Sequence, residues 1–163
     1  MQIDTNRYAR CVTPADQKAA ILADLTPKLD GIRVLRNRVL VCTYVEAEVT
    51  AGGILKPQSR IDESKYQGKV GLVLKIGPLA FDFDEVTEEA RATHRNNPGD
   101  DWDDIYAKVA AEHGIPNVGD WVFFRASDTW DCGLAVEPGK GVHCRFINDD
   151  SIVGVIADPS SIW

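Results

Sequence analysis

Nothing in these 163 residues is apolar for long enough to cross a bilayer, since no apolar run reaches about 18 residues. No basic segment followed by an apolar one stands near Met1, so no secretory leader is expected. The four cysteines, Cys11, Cys42, Cys132 and Cys144, are scattered and form no CxxC pair. Zinc ligands usually pair at short spacing, so a metal site is not expected. We read all four as reduced thiols, with Cys42 a small packing residue in a strand; a Cys132–Cys144 disulfide is the one competitor. P-loop, GxSxG and HExxH motifs are missing, and His94, His113 and His143 lie far apart. The many aspartates lack the spacing of a calcium loop. The chain is therefore read as no enzyme, with no catalytic residue and no cofactor. Basic charge is in short supply as well: 18 Lys and Arg against 25 Asp and Glu leave −7. That speaks against nucleic acid and against an anionic membrane as partners, and a cytoplasmic protein is expected.

The acid that is present is concentrated. Between Leu79 and Asn117 stand Asp82, Asp84, Glu85, Glu88, Glu89, Asp100, Asp101, Asp103, Asp104 and Glu112, against Arg91, Arg95 and Lys108. This segment carries the whole net charge, and the remainder balances. Gly77-Pro78 and Pro116-Asn117 flank it as breakers. Within it, Trp102, Ile105, Tyr106, Val109 and Ala110 recur at helical spacing, Asp100 or Asp101 caps the start, and Gly114 with Pro116 closes the end. A weaker helix is read over Glu85–His94. The expectation is an acidic helical module, 79–117, set into a neutral, strand-rich body. Its charged surface reads first as a solvated helix face.

A further helix is expected in an N-terminal arm, residues 1–31. Thr13 suits the N-cap and Pro14 the first helical position. Ile21, Leu22 and Leu25 form its stripe, and Pro27 and Gly31 end it. The rest, residues 32–158, reads as short strands: Val34-Leu35, Val39–Val45, Gly68–Gly77, Trp121–Arg125, Val142–Ile147 and Ser151–Ile156. Trp121 and Trp102 are assigned to the core, Trp130 to an exposed turn, and Trp163, in a tail of residues 159–163, to anchorage on a neighbour. Short strands joined by Gly-rich turns indicate a small β-barrel or sandwich.

The loop over residues 46–67 is the unusual part. It holds Ala51-Gly52-Gly53-Ile54-Leu55 and then a polar run, in a stretch with no evident strand partner. Two readings of Gly52, Gly53, Ile54 and Leu55 stand side by side. One is a mobile element whose apolar pair docks on a partner. The other is a hairpin turn whose Ile54 and Leu55 fold back onto the body.

In order, these pieces resemble the GroES-type co-chaperonin family. The carriers are Arg36-Asn37-Arg38-Val39-Leu40-Val41, the Gly-Gly-Ile loop at 52–54, Gly68-Lys69-Val70 through Gly77-Pro78, Val118-Gly119-Asp120-Trp121-Val122-Phe123-Phe124, and Asp150–Ile156. The match spans 32–78 and 118–158, and the chain resembles a divergent member of the kind characteristic of tailed bacteriophages. The resemblance implies a mostly β fold, a partly open β-barrel carrying the helical module and the arm as additions. It implies a homo-oligomeric ring joined through terminal strands, with Arg38, Val39, Val41, Ile152, Val153, Val155 and Trp163 at the interface. It implies a GroEL-type chaperonin as partner, bound through Gly52–Leu55, in aid of protein folding. Lys56 and Pro57 follow Ile54-Leu55, and the helical module occupies the place of the family's short roof hairpin. The alternative reading is a phage virion structural or assembly protein, a capsid decoration or connector component that reuses the barrel, since fold does not fix function.

Overall fold

The structure, a computed structural model, describes residues 1–4, 6–50, 52–57, 59 and 69–161. Among these residues it is a mixed α/β molecule organised on one seven-stranded sheet with three α-helices. In chain order the elements are β1 (Gln2–Ile3), α1 (Pro14–Leu29), β2 (Arg38–Thr43), β3 (Val70–Ile76), α2 (Asp84–Asn96), α3 (Trp102–Glu112), β4 (Trp121–Phe124), β5 (Thr129–Glu137), β6 (Lys140–Asn148) and β7 (Ile152–Ile156). Strands β6, β2, β3, β4 and β7 are successive antiparallel neighbours. Strand β5 pairs along β6, and β1 adds a short parallel pair at the start of β6. Among the described residues β5 and β7 have no second strand partner, so the sheet is open.

Strand β2 is the centre of the sheet, and five of its six residues are buried. Successive side chains point to opposite faces, so a strand buried throughout needs cover on both sides. On one face Leu40, Cys42, Leu72, Leu74, Trp121 and Cys144 pack with Ile21, Leu25 and Leu29 of α1. On the other, Val39, Val41, Val73, Val122, Phe124 and Ile147 close over Phe81.

Helix α1 begins as its sequence dictates. Thr13 is extended and its Oγ1 accepts from Asp16 N–H, while Pro14 needs no N–H partner at the helix start. Gln17, Ile21, Leu25 and Leu29, four apart, form the buried row. The helix does not stop at Pro27 as expected but runs through it to Leu29. Lys75 Nζ donates to the carbonyls of Leu29 and Ile32 at 2.8 and 2.7 Å, closing the helix end from outside the arm. At the other end of the arm Arg7 Nε donates to Asp24 Oδ2 at 2.7 Å, and Tyr8 Oη donates to the same oxygen at 3.1 Å.

Gln17 makes the tightest connection. Its Nε2 donates to Val45 O at 2.7 Å, and its Oε1 accepts from Val45 N–H at 3.1 Å. A buried side-chain amide thus takes the place of a neighbouring strand just where β2 ends.

Three further expectations are corrected. Val34-Leu35 is not a strand; it leads into Arg36, which sits at φ 55. Trp130 is not in a turn but in β5, a strand that its Cys, Gly and acidic residues hide from a search for β-branched runs. Trp102 is 37% exposed rather than in the core. No disulfide forms, and all four cysteines are free. The module is a pair of helices packed through Val86, Ala90, Ile105, Val109 and Ala110, with Asp101 Oδ2 capping α3 by accepting from Asp103 N–H.

Gly77 marks where β3 passes the β2 entry. A Cβ there would lie 2.2 Å from Arg36 O and 2.8 Å from Arg38 O, so no other residue fits without moving backbone.

Replacing Gln17 with Ala is expected to destabilise the fold by about 2–3 kcal/mol, because both polar groups of Val45 lose their buried partner. Urea unfolding of the two proteins checks this; an unchanged midpoint would show that the clip contributes nothing.

Candidate partner-docking site

The loop reading resolves into a small hairpin whose tip faces outward. Val49 and Leu55 are bridged antiparallel, with Thr50 N–H donating to Ile54 O at 2.9 Å and Lys56 N–H to Glu48 O at 2.7 Å. The turn closes through Gly53 N–H to Thr50 O at 2.8 Å, and Gly53 adopts φ 80, the left-handed region that glycine enters freely. Thr50 Oγ1 accepts from Ile54 N–H at 3.1 Å and stiffens the turn. A lone two-stranded hairpin is marginal in water. This one is fastened at its base, where Glu48 N–H donates to Ala9 O at 2.8 Å and Lys56 Nζ pairs with Glu46 Oε2 at 2.9 Å.

Each of the two local readings thus contributes a part. The segment is a hairpin, yet Ile54 and Leu55 do not fold back: they are 70% and 74% exposed, with Val49 also exposed beside Leu55. Gly52 is exposed at the tip. Ala51, Gln58 and residues 60–67 of the expected loop lie outside the described residues.

The residues expected at an oligomer interface divide sharply. Ile152, Val153 and Val155 lie on β7, an edge strand with Val153 63% and Val155 48% exposed and no charge or proline to blunt the edge. Val39 and Val41 have no exposed surface, because β2 is flanked by β6 and β3, and a neighbour could touch them only if the subunit opened. Arg38 is half-buried, its guanidinium 5.3 Å from the ring centre of Trp130. Trp163 lies outside the described residues.

A shallow groove of about 130 Å³ runs between β7 and the root of the helical module, lined by Phe81, Phe83, His113, Ile115 and Val153–Val155. Sequence reasoning missed it, because its walls come from three segments each some thirty residues from the next.

The polar chemistry inside the sheet is structural. Arg145, 2% exposed, pairs with Asp131 at 2.9 Å and lies over the Phe124 ring. His143 stands 3.3 Å from the same carboxylate. Burial pushes the Cys132 thiol up to about 12 and raises Cys11, while a hydrogen bond with Cys42 and then burial raise Cys144, so these sulfurs stay protonated thiols at neutral pH. Among the described residues no group of three or more His, Cys, Asp or Glu could hold a metal ion, and no helix is long and apolar enough to cross a membrane.

Compared with known proteins, the chain matches no family model and no curated sequence.

Burial, then the nearby Arg145 charge, lowers the pKa of His143 below its ordinary 6.5, outweighing Asp131. The folded form is therefore neutral where the unfolded chain takes up a proton. Stability from this group is complete above pH of about 6.5 and is lost as pH falls through the lowered value. Denaturant midpoints at neutral and mildly acidic pH should show that decline, and His143→Gln should flatten it; an equal slope in both proteins would contradict the assignment.

Proposed function

We propose that this chain is a co-chaperonin-like cap: an oligomer of partly open, barrel-like subunits that docks on a GroEL-type chaperonin and assists protein folding. The observation that carries the reading is the presentation of Ile54 and Leu55. Two large aliphatic side chains stand in water at the tip of a hairpin that a glycine turns and the arm holds. Burying each in an apolar groove is worth roughly 1.5–3 kcal/mol before ordering costs are subtracted. One contact of that size is weak, and repetition around an oligomer multiplies it. The uncharged edge of β7, with Ile152, Val153 and Val155, supplies a surface through which subunits join. The chemistry of ATP belongs to the partner, and the place of action is the cytoplasm, the host's if the chain is phage-encoded.

A second reading has its own support. The hairpin is tied to the arm by a backbone hydrogen bond, and the arm and helical module enlarge the surface available for fixed contacts. Those features suit a phage virion structural or assembly protein, a capsid decoration or connector component built on the same barrel.

Ile54→Asp separates the two. For the cap, wild-type protein binds a GroEL-type ring when ATP is present and the variant loses that binding by at least about tenfold, equal to 1.4 kcal/mol. Binding that is missing in the wild type, or undiminished in the variant, removes the cap reading. Mass spectrometry of purified particles tests the virion reading, which fails if the chain is not there.

A further inference from the structure

The connection entering β2 builds a compact surface of a different kind from the hairpin. Arg38 N–H donates to Leu35 O at 3.2 Å, Leu79 N–H donates to Arg36 O at 3.1 Å, and the Arg38 guanidinium stacks on Trp130. These contacts bring Leu35, Arg36, Arg38, Leu79 and Trp130 together, with Arg33 in the same connection. Leu35, Leu79 and Trp130 are 63%, 55% and 66% exposed. Among the described residues none of the three arginines has a carboxylate partner. Exposed tryptophan and arginine are the residues enriched at interface centres, and the two leucines add apolar area beside them.

The same chain carries the complementary charge at a distance. The root of α2 lies beside this surface: Phe81 N–H and Asn37 Nδ2 both donate to the Asp149 carboxylate, at 2.9 and 3.0 Å. From that root the 13 residues of α2 rise about 20 Å. The far end of the helix pair is Asp100-Asp101-Trp102-Asp103-Asp104, all exposed, with Trp102 leaning on His94 and Tyr106. Socket and tip are thus a helix length apart in one molecule. No ion pair joins them within the described chain.

We propose that the arginine–tryptophan surface of one copy receives the aspartate-rich helix tip of a second copy, head to tail. The occupant is a second copy because the body without the module is electrically balanced, and the module supplies all the surplus anion. A head-to-tail contact of this kind uses different surfaces on the two copies, so it propagates into a ring or a filament. It is separate from pairing along β7 and stands whether or not the hairpin ever meets a chaperonin.

Sedimentation velocity on the full chain from about 0.05 to 0.5 M salt tests it, because exposed ion contacts weaken as the screening length shrinks. Two variants complete the experiment. Arg33→Glu with Arg36→Glu makes the socket acidic; Asp100→Lys with Asp103→Lys and Asp104→Lys makes the tip basic while leaving the Asp101 cap in place. Each alone is expected to weaken association by at least about tenfold, and an equimolar mixture to restore it, since each reversed surface then meets its complement. Circular dichroism melts verify folding, and Arg33→Gln with Arg36→Gln replaces the socket reversal if that variant is unfolded. Association indifferent to salt and to both reversals, a wild-type monomer at every salt concentration, or a mixture that stays apart would overturn the proposal.

Discussion

A sheet that is apolar on both faces cannot stand alone in water, and in this chain the arm is what makes one of those faces tenable. The interaction on which that depends is the double hydrogen bond between the Gln17 amide and Val45. Apolar packing of Ile21, Leu25 and Leu29 supplies most of the adhesion, but it is non-directional and would tolerate a slide of α1 along the sheet. Gln17 removes that freedom, because only one placement of the helix satisfies both polar groups of Val45. Asp24, held below the ordinary carboxylate range chiefly by its hydrogen bond from Arg7, secures the turns before the helix. Lys75 secures its end from β3. The hairpin bearing Ile54 and Leu55 leaves the sheet directly after Val45, so its direction is inherited from the same clip.

The elements legible in the sequence were those whose physics is local. Thr13-Pro14 announces a helix start because a hydroxyl cap and a missing N–H act within one turn, and the Trp102–Glu112 helix shows its period in the same way. The left-handed turn at Gly53 was readable as backbone freedom. Other features depend on what comes from far away. Pro27 reads as a terminator, yet the helix passes it, since packing against the sheet outweighs one lost hydrogen bond near the helix end. Strand β5 has poor strand chemistry and exists because β6 pairs with it along almost its whole length. Val39 and Val41 read as ordinary alternating strand residues, and nothing near them in the sequence says that the strand would be central. Of the candidate docking site, the identity of the apolar pair was evident, while its outward presentation rests on Glu48 reaching Ala9, a contact no local pattern contains.

The molecule keeps its polar and apolar contact chemistry apart. Aliphatic side chains are displayed on the hairpin and on β7, where recognition without charge is short-ranged and depends on shape. Arginine and tryptophan gather at the entry to β2, and aspartate gathers at the far end of the helix pair. Inside the sheet, at neutral pH, the Cys132 and Cys144 thiols are protonated, His143 is neutral and Arg145 lies against Asp131. The ionisable groups of the interior are thus paired or neutral, and the unpaired charge lies on the surface.

Strands β2 and β6 are neighbours although about a hundred residues separate them, as the 101-residue span between Cys42 and His143 shows. Closing so wide a circuit is slow, because the chain must surrender its entropy before the pairing rewards it. The α2–α3 pair lies within that circuit and is held by neighbours in sequence, so it can condense early. Once condensed, it draws Ile76 and Trp121 toward one another and shortens the remaining search. An insertion that looks like an appendage on the finished molecule is, during its making, a shortcut.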